Sequence, residues 1–248
     1  QVSTLDDDNS SCASVGDCST PRTLDSTDVS SDTQQTPIHT YMPEDVKPGM
    51  SPSTHVAEQL LKTSPEIATD APLALLDIDV LRQRADLWFR HLPRVEPFYA
   101  VKCNPNTALL NALWQLWQER GVGGFDCASP AEMKAVATLQ GVDLSDRVVY
   151  ANPCKQVSAL TTAKALSVER TVFDNVAELE KIAATFPSAK LLLRVQTDDS
   201  KSQCPMSNKF GCATADAKDL LEKARSLSLE VVGVSFHVGS GCSEVGAF

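Results

Sequence analysis

A strict alternation of short apolar runs and helical patterns constrains the fold of this chain more than any other feature. Six runs predict strands, at Phe98–Val101, Gly124–Cys127, Val148–Ala151, Thr171–Phe173, Leu191–Val195 and Val231–Val238. Helical patterns lie between them, at Thr107–Arg120, Ala131–Leu139, Val157–Leu166, Val176–Thr185 and Ala215–Leu227. Near-continuous apolar strands that alternate with helices indicate an α/β fold with a parallel sheet.

Polar or ionisable side chains follow each of these strands. In chain order they are Lys102, Asp126 with Ser129, Asn152, Asp174, Arg194 and His237. In a (β/α) barrel the active site is built at successive strand ends. A doubly wound sheet normally has a glycine-rich turn after its first strand, and residues 102–106 (KCNPN) lack one. We therefore predict an incomplete (β/α)8 TIM-type barrel, with about six of its eight strands present.

Composition divides the chain into three parts. Residues 1–54 are rich in Ser, Thr, Asp and Pro and carry a local charge of −7 out of a total of −10. This segment is predicted to be a disordered acidic tail, because it has little apolar surface to bury. Residues 55–78 predict a helix at about 55–62 and a strand at Leu73–Ile78. Residues 79–248 form the partial barrel, whose first helix we expect Asp79 to cap.

Several classes of function are disfavoured by composition. The chain has no basic stripe for nucleic acid and no apolar run of membrane-spanning length. Its four histidines have no metal-ligand spacing, so no metal site is predicted. The eight cysteines include no C-x-x-C pair, and no export signal is visible. Free thiols in a reducing, cytoplasmic compartment are the simpler interpretation.

Lys102 closes the apolar run at residues 97–101. A lysine buried at such a position loses basicity and becomes a nucleophilic amine that can trap a carbonyl group. The alternative is a lysine whose long side chain reaches water from the strand end, and this segment alone favours that interpretation.

The segment His237–Gly241 places a ring, two glycines and a hydroxyl after the sixth strand. Glycines allow backbone N–H groups to approach an anion, and Ser240 adds a donor, so the segment is suited to phosphate. A simple strand-terminating turn would use the same residues. Together with the amine of Lys102, however, the pattern offers one group for an aldehyde and one for a phosphate, and pyridoxal phosphate has both.

Several longer motifs carry a family resemblance. They are PFYAVKCN at 97–104, GFDCAS at 124–129, YANPCK at 150–155, LRVQTDDS at 193–200, KFG at 209–211 and VGVSFHVGSG at 232–241. From about residue 70 onward the chain resembles the eukaryotic ornithine decarboxylase family, whose members are fold III pyridoxal phosphate enzymes with an alanine racemase-like barrel. The resemblance implies decarboxylation of L-ornithine to putrescine in polyamine biosynthesis, by a cytoplasmic homodimer with a shared active site that antizyme can bind.

The resemblance also implies roles for individual residues. Lys102 matches the lysine that holds the cofactor covalently, and His237 matches the histidine that stacks on the pyridine ring; both are the predicted catalytic residues. The other predicted cofactor-binding residues are Asp126, Glu132, Arg194, Gly239, Ser240 and Gly241. Structural roles remain open for three of these, because Asp126 could cap a helix, Glu132 could complement a helix N-terminus and Arg194 could form a structural ion pair.

The family's other functional groups and most of its C-terminal β domain fall beyond residue 248, so the chain is expected to be inactive alone. In the family, the strand predicted at Leu73–Ile78 joins that domain. Alternatives are a lysine, arginine or diaminopimelate decarboxylase, a non-catalytic homologue of antizyme-inhibitor type, and a pyridoxal phosphate homeostasis protein. The long segment Thr197–Lys209 is either a lid or a mobile insertion.

Overall fold

The computed structural model describes residues 49–63 and 76–248. Most of the predicted acidic tail, and residues 73–75 of the predicted strand, lie outside the described residues. The first helix, α1, spans Pro52–Thr63 and so begins slightly earlier than predicted. The strand prediction is wrong at its described end, because Leu76 and Asp77 are not in a strand and Ile78 begins a helix.

That helix, α2, spans Ile78–His91 and is capped by Asp77 rather than by Asp79. Asp77 has the extended backbone of an N-cap, and its carboxylate accepts the N–H groups of Asp79 at 2.9 Å and Val80 at 3.1 Å. Only part of the apolar surface of α2 is buried. Ala85 lies in the core, whereas Trp88 remains 37% exposed and donates its indole N–H to the carbonyl of Val95.

Eight strands occur in the described part of the chain. They are β1 Phe98–Ala100, β2 Gly124–Cys127, β3 Val148–Tyr150, β4 Arg170–Phe173, β5 Lys190–Arg194, β6 Ser202–Cys204, β7 Glu230–Ser235 and β8 Ser240–Cys242. The remaining helices are α3 Thr107–Arg120, α4 Pro130–Ala137, α5 Leu144–Arg147, α6 Val157–Ala165, α7 Val176–Thr185 and α8 Ala217–Ser226.

Six of the strands form one parallel sheet in the order β1-β2-β3-β4-β5-β7. The order follows the chain without reversal, whereas a doubly wound sheet reverses its strand order at a switch point. A helix lies between each pair of neighbouring strands. The predicted fold, a partial TIM-type barrel, is confirmed.

The sheet is held by one apolar core between strands and helices. The large apolar side chains of α3 are buried, and Gly121 ends the helix with a φ of 71°. The strands contribute large side chains with little or no exposure, namely Phe125, Val148, Tyr150, Phe173, Leu191 and Leu193. Burial of side chains of this size stabilises a fold by about 1.5–3 kcal/mol each. The core therefore fixes the strands whose ends carry the polar residues.

One helix and two strands were not predicted. Helix α5 has four residues, too few for a periodic pattern, and Asp143 caps it by accepting the N–H of Ser145. Strands β6 and β8 form a separate antiparallel pair, in which Ser202 lies opposite Cys242 and Cys204 opposite Ser240. The segment Thr197–Lys209 thus contains a strand that pairs with the segment after β7.

Two further findings concern the described residues as a whole. None of their helices is both long enough and apolar enough to cross a membrane. Their six cysteines are free thiols, of which Cys127 and Cys212 are buried.

Candidate active site at the carboxyl ends of the strands

Lys102 lies in a single turn of 3-10 helix, Val101–Cys103, directly after β1. Val101 takes the buried position of this turn and is fully buried, whereas Lys102 is exposed. The expectation that Lys102 is buried is therefore wrong in this structure, because the strand ends at Ala100 and the turn directs the next side chain outward. An exposed amine at this position is accessible to a ligand.

Asp126 lies on β2, the neighbour of β1, and its carboxyl group is partly buried. Burial raises the pKa of this carboxyl above its usual value, and the negative charge of Glu132 adds to the rise. The positive charges of Lys102 and Arg194 act in the opposite direction on the same pKa. Asp126 therefore lies within electrostatic reach of three other predicted site residues.

Glu132 lies in the first turn of α4 and makes a capping box there. Its carboxylate accepts the N–H of Ala128 at 2.8 Å and the hydroxyl of Ser129 at 2.9 Å, while Ser129 Oγ accepts the N–H of Glu132 at 3.3 Å. Ser129, not Asp126, is the N-cap of α4. The two carboxylates thus differ, since Glu132 is committed to the helix terminus and Asp126 is not.

Arg194 ends β5 and stacks on the ring of Phe210, with 5.0 Å between the guanidinium carbon and the ring centroid. Burial lowers the pKa of Arg194, and the negative charges of Asp174 and Asp126 oppose that change. Asp174 is not a helix cap, because Asn175 caps α7. Instead its carboxylate accepts the N–H of Gly211 at 2.8 Å.

His237 follows β7, and its Nδ1 accepts the N–H of Gly239 at 2.9 Å. Burial lowers the pKa of His237, and the positive charges of Arg194 and Lys102 lower it further, against a smaller opposing effect of Asp199. A neutral ring that accepts a hydrogen bond at Nδ1 carries its proton on Nε2. The structure thus favours a neutral imidazole in a defined tautomer.

The turn after His237 packs against β6. Gly239 is buried and has a φ of +82°, and a Cβ on it would lie 2.5 Å from the Cβ of Ser202. Ser202 donates its hydroxyl to the carbonyl of Val238, and Thr197 donates its hydroxyl to the carbonyl of His237 at 2.8 Å. The sequence did not predict these roles for Ser202 and Thr197. The unusual length of the segment that contains them was the signal that could have indicated a structural role there.

The next two residues of the turn lead into β8. Ser240 is exposed at the start of that strand, and Gly241 has a φ of +67°. Positive φ at both glycines fits the sequence expectation of a special turn. The hydroxyl of Ser240 is therefore accessible to an anion, and its role in binding phosphate stays a prediction.

The donor set fits pyridoxal phosphate. It comprises the accessible amine of Lys102, the neutral ring of His237, the carboxylate of Asp126, the guanidinium of Arg194 and the hydroxyl of Ser240. The charges of the lysine and the arginine act on the pKa values of both the aspartate and the histidine. Glu132 also acts on the pKa of Asp126, but its carboxylate is hydrogen-bonded at the N-terminus of α4. Within the described ranges, no group of three His, Cys, Asp or Glu side chains could hold a metal ion.

Comparison with known protein families agrees with this geometry. Residues 78–248 match the family model described as pyridoxal-dependent decarboxylase, pyridoxal binding domain. The chain belongs to this family of pyridoxal-dependent decarboxylases, and its described barrel is the pyridoxal-binding domain.

Individual proteins with similar sequences include two ornithine decarboxylases and an antizyme inhibitor. The chain is 46% identical over 198 residues to a probable ornithine decarboxylase of Dictyostelium discoideum, covering 80% of this chain and 41% of that protein. It is 47% identical over 170 residues to ornithine decarboxylase of Mus musculus, covering 68% and 35%. It is also 45% identical over 170 residues to antizyme inhibitor 2 of Xenopus laevis, covering 68% and 36%. The chain therefore spans less than half the length of these relatives.

Solved structures share the fold. The arginine decarboxylase of Paramecium bursaria Chlorella virus superimposes with a TM-score of 0.70 at 36% identity, over 77% of this chain and 50% of that one. Lysine decarboxylase of Selenomonas ruminantium gives a TM-score of 0.68 at 33% identity, over 80% of this chain and 48% of that one.

Proposed function

We propose that this chain is the pyridoxal-binding part of an enzyme that decarboxylates L-ornithine to putrescine in polyamine biosynthesis. The observation that carries the proposal is the charge-coupled cluster of Lys102, Asp126, Arg194 and His237 at the carboxyl ends of parallel strands. Identities of 46% and 47% to the ornithine decarboxylases favour ornithine over other amino acids.

Each residue of the cluster has a task in this reaction. Lys102 would present its amine to the aldehyde of the cofactor, and its positive charge lies within electrostatic reach of Asp126. His237 offers a neutral ring face, which suits packing against an aromatic ring. Bound pyridoxal phosphate supplies an electron sink for the electrons left on the substrate carbon when carbon dioxide departs.

The remaining residues hold the cofactor. Ser240 and Gly241 would bind the phosphate, since hydroxyl and backbone N–H groups are good donors to that anion. Gly239 would shape the turn, because its N–H is donated to His237 and its missing side chain lets the turn pack against Ser202. Arg194, which stacks on Phe210 and whose basicity is supported by the negative charge of Asp174, would contribute a positive charge to the cluster. Glu132 is bonded to the N-terminus of α4, and its negative charge raises the pKa of Asp126.

We propose that the complete enzyme works as a cytoplasmic homodimer with a shared active site and that antizyme binds it. The chain covers 41% and 35% of the two ornithine decarboxylases, so we propose that part of the machinery lies outside the segment it matches. We therefore expect purified 1–248 to show no decarboxylation of ornithine, while the full-length protein does. A normal rate from the shorter protein would contradict this proposal.

The decisive experiment uses the full-length protein. Borohydride reduction followed by peptide mapping identifies the lysine that is covalently joined to the pyridoxal carbon, and Lys102 is expected to carry the label. Release of carbon dioxide is then compared for ornithine, lysine, arginine and diaminopimelate. Preference for one of the last three would retain the enzyme class and replace the substrate, whereas label on another lysine would overturn the role of Lys102.

Similarity to an antizyme inhibitor supports a second candidate, a non-catalytic regulatory homologue. Such a protein would bind antizyme without turning over an amino acid, and pyridoxal would not attach to Lys102. The presence of Lys102, His237 and Ser240 together favours the enzyme, because a protein without cofactor has no use for this combination. Antizyme binding with no label and no turnover would support the regulatory homologue.

A further inference from the structure

Lys155, in the loop between β3 and α6, carries a fully buried charge. Its ammonium donates to the carbonyl oxygens of Asn152 at 3.0 Å and Val172 at 2.5 Å, and it forms an ion pair with Glu178 Oε1 at 2.9 Å. A buried ammonium is costly unless it is paired and hydrogen-bonded. The two hydrogen bonds to carbonyl oxygens and the ion pair with Glu178 therefore fix the position of this group.

Glu178 ties the same loop to helix α7. Its Oε2 lies 2.6 Å from Lys181 Nζ, and Lys181 also donates to the carbonyl of Lys155. The Glu178 side chain is only 2% exposed. The cluster of Lys155, Glu178 and Lys181 thus joins the β3–α6 loop to the first turn of α7 through charge and through backbone contacts.

The ammonium lies where the backbone ladder between β3 and β4 stops. The last paired residues of the two strands are Tyr150 and Thr171, which are also joined by a bond from Thr171 Oγ1 to the carbonyl of Tyr150 at 3.0 Å. Beyond that point Asn152 follows β3, and Val172 continues β4. Lys155 donates to one carbonyl after β3 and to one carbonyl of β4. Its ammonium therefore connects the two strands beyond their last paired residues, at the carboxyl ends where the candidate site lies.

The residues that Lys155 contacts lie on both sides of Asp174 in the sequence. Val172 precedes Asp174 by two residues, and Glu178 follows it by four. The N–H of Glu178 is donated to the side chain of Asn175, the N-cap of α7, at 2.9 Å. Both flanking positions are fixed by Lys155. Asp174 in turn accepts the N–H of Gly211 and opposes the loss of basicity of Arg194.

We propose that Lys155 is a positioning residue for the pyridoxal site: its buried ammonium clamps the carboxyl ends of β3 and β4, and thereby fixes the position of Asp174, whose carboxylate accepts the N–H of Gly211. The inference rests on the proposed function, because it assigns Lys155 a role in a site that takes pyridoxal phosphate. Lys155 itself contacts neither the predicted cofactor-binding residues nor the reacting atoms.

The test uses the full-length protein with cofactor and the variant Lys155→Met, which keeps the length of the side chain and removes the charge. Its control is Lys164→Met, because Lys164 is an exposed lysine on α6 that donates only to the carbonyl of Thr185 at 3.3 Å. The readouts are kcat/KM, the pH midpoint of the visible absorbance of the bound cofactor, and the covalent label on Lys102.

In Lys155→Met we expect the label on Lys102 to persist and kcat/KM to fall on the order of tenfold to a hundredfold, because small displacements of positioning groups have effects of this size. The absorbance midpoint should shift by about half a pH unit or more, since the charge of Asp174, which acts on Arg194, is no longer held in place. Lys164→Met should match the unaltered protein in all three measurements.

Two outcomes separate this inference from the proposed function. An unaltered protein without pyridoxal on Lys102 would overturn the proposed function. A labelled, active protein whose Lys155→Met variant keeps the same midpoint and kcat/KM would overturn the positioning role alone.

A second variant, Glu178→Gln, keeps the ammonium and its two carbonyl contacts, so it should lower the melting temperature without shifting the midpoint. A shift as large as that of Lys155→Met would contradict the clamp. Where Lys155→Met does not fold, Lys155→Gln can still donate to one strand-end carbonyl. It should shift the midpoint in the same direction by less, and an unchanged midpoint would overturn the inference.

Discussion

The loops after β1 and β3 each place a lysine at the same edge of the sheet, yet the two lysines have opposite surroundings. Lys102 is exposed, and within the ranges that the structure describes its amine makes no hydrogen bond or ion pair. Lys155 is fully buried, with two hydrogen bonds to carbonyl oxygens and an ion pair with Glu178. An amine that binds a cofactor must be accessible to it, whereas a buried ammonium needs bonded partners. Exposure and bonding thus separate the two roles more clearly than position along the fold.

The backbone explains why the two loops differ. After β1 a 3-10 turn begins at once, so that Val101 is buried and Lys102 is directed outward. After β3 the carboxamide of Asn152 accepts the N–H of Cys154 at 3.1 Å, which turns the chain so that Lys155 points back beneath the strands. A single turn near each strand end therefore decides which lysine is available for chemistry.

Replacing Lys102 should have the largest effect on activity. In the full-length protein, Lys102→Met removes the amine that we propose binds the cofactor, so covalent pyridoxal and ornithine decarboxylation should both fall to background. Because the side chain is exposed, the free energy of unfolding should change by less than about 0.5 kcal/mol. Borohydride labelling and urea unfolding measure the two effects. If the Lys102→Met variant still carried the borohydride label, a different lysine would be the one that binds the cofactor.

Replacing Lys155 should have the largest effect on stability. Lys155→Met leaves two strand-end carbonyls unpaired and Glu178 with one cationic partner, so the free energy of unfolding should fall by about 3 kcal/mol. Urea unfolding of the cofactor-free full-length protein measures this, with Lys164→Met as the control, expected within about 0.5 kcal/mol of the unaltered protein. Equal stabilities of the two variants would show that the buried charge is not needed for folding.

Part of this contrast could be predicted from the sequence. The alternating β and α units gave the parallel sheet, because local apolar patterns report directly on strands and helices. The bounds of α3 and α7 were predicted without error. The β6–β8 pair was missed, because its strands are short and polar and their partners are distant in the chain.

The candidate site divides in the same way. Lys102, Asp126, Arg194 and His237 were selected because parallel strands bring their carboxyl ends together. Their roles with the cofactor stay predictions. Lys155 stood inside a quoted motif without a role, since its burial depends on Val172 and Glu178, which reach it through tertiary packing. Sequence patterns identify which edge of the sheet is polar, but not which polar groups are already bonded.

Replacing one glycine near the candidate site and one far from it should change stability by smaller amounts. Gly211, beside Asp174, has a φ of +92°, and a Cβ there would lie 2.9 Å from the backbone of Gln196 and Val195. Gly121, at the end of α3, has a φ of +71° and nothing within 4 Å. We expect Gly211→Ala to cost about 2–3 kcal/mol and Gly121→Ala about 1 kcal/mol, as measured by urea unfolding. Equal losses would mean that the backbone around Gly211 relaxes.

Asp126 and Asp199 give the last comparison, because their pKa values shift in opposite directions. Burial raises the pKa of Asp126 above 3.8. Hydrogen bonds from the N–H groups of Ser207 and Met206, at 2.8 Å and 2.6 Å, lower the pKa of Asp199. Native Asp126 therefore holds its proton more tightly than in the unfolded chain, and native Asp199 holds it less tightly.

Linkage then fixes the sign of each pH effect. The contribution of Asp199 is present above its unfolded pKa and is lost as the pH falls through its folded pKa, so Asp199→Asn should destabilise the cofactor-free protein at neutral pH and progressively less in acid. The contribution of Asp126 is lost as the pH rises through its raised pKa, so Asp126→Asn should be stabilising at neutral pH. Urea unfolding from neutral pH down towards pH 4 measures both differences, which we expect to be the smallest of the series. A loss of stability in Asp126→Asn at neutral pH would mean that Lys102 and Arg194 outweigh burial at this carboxylate, and that the cluster is a structural ion pair.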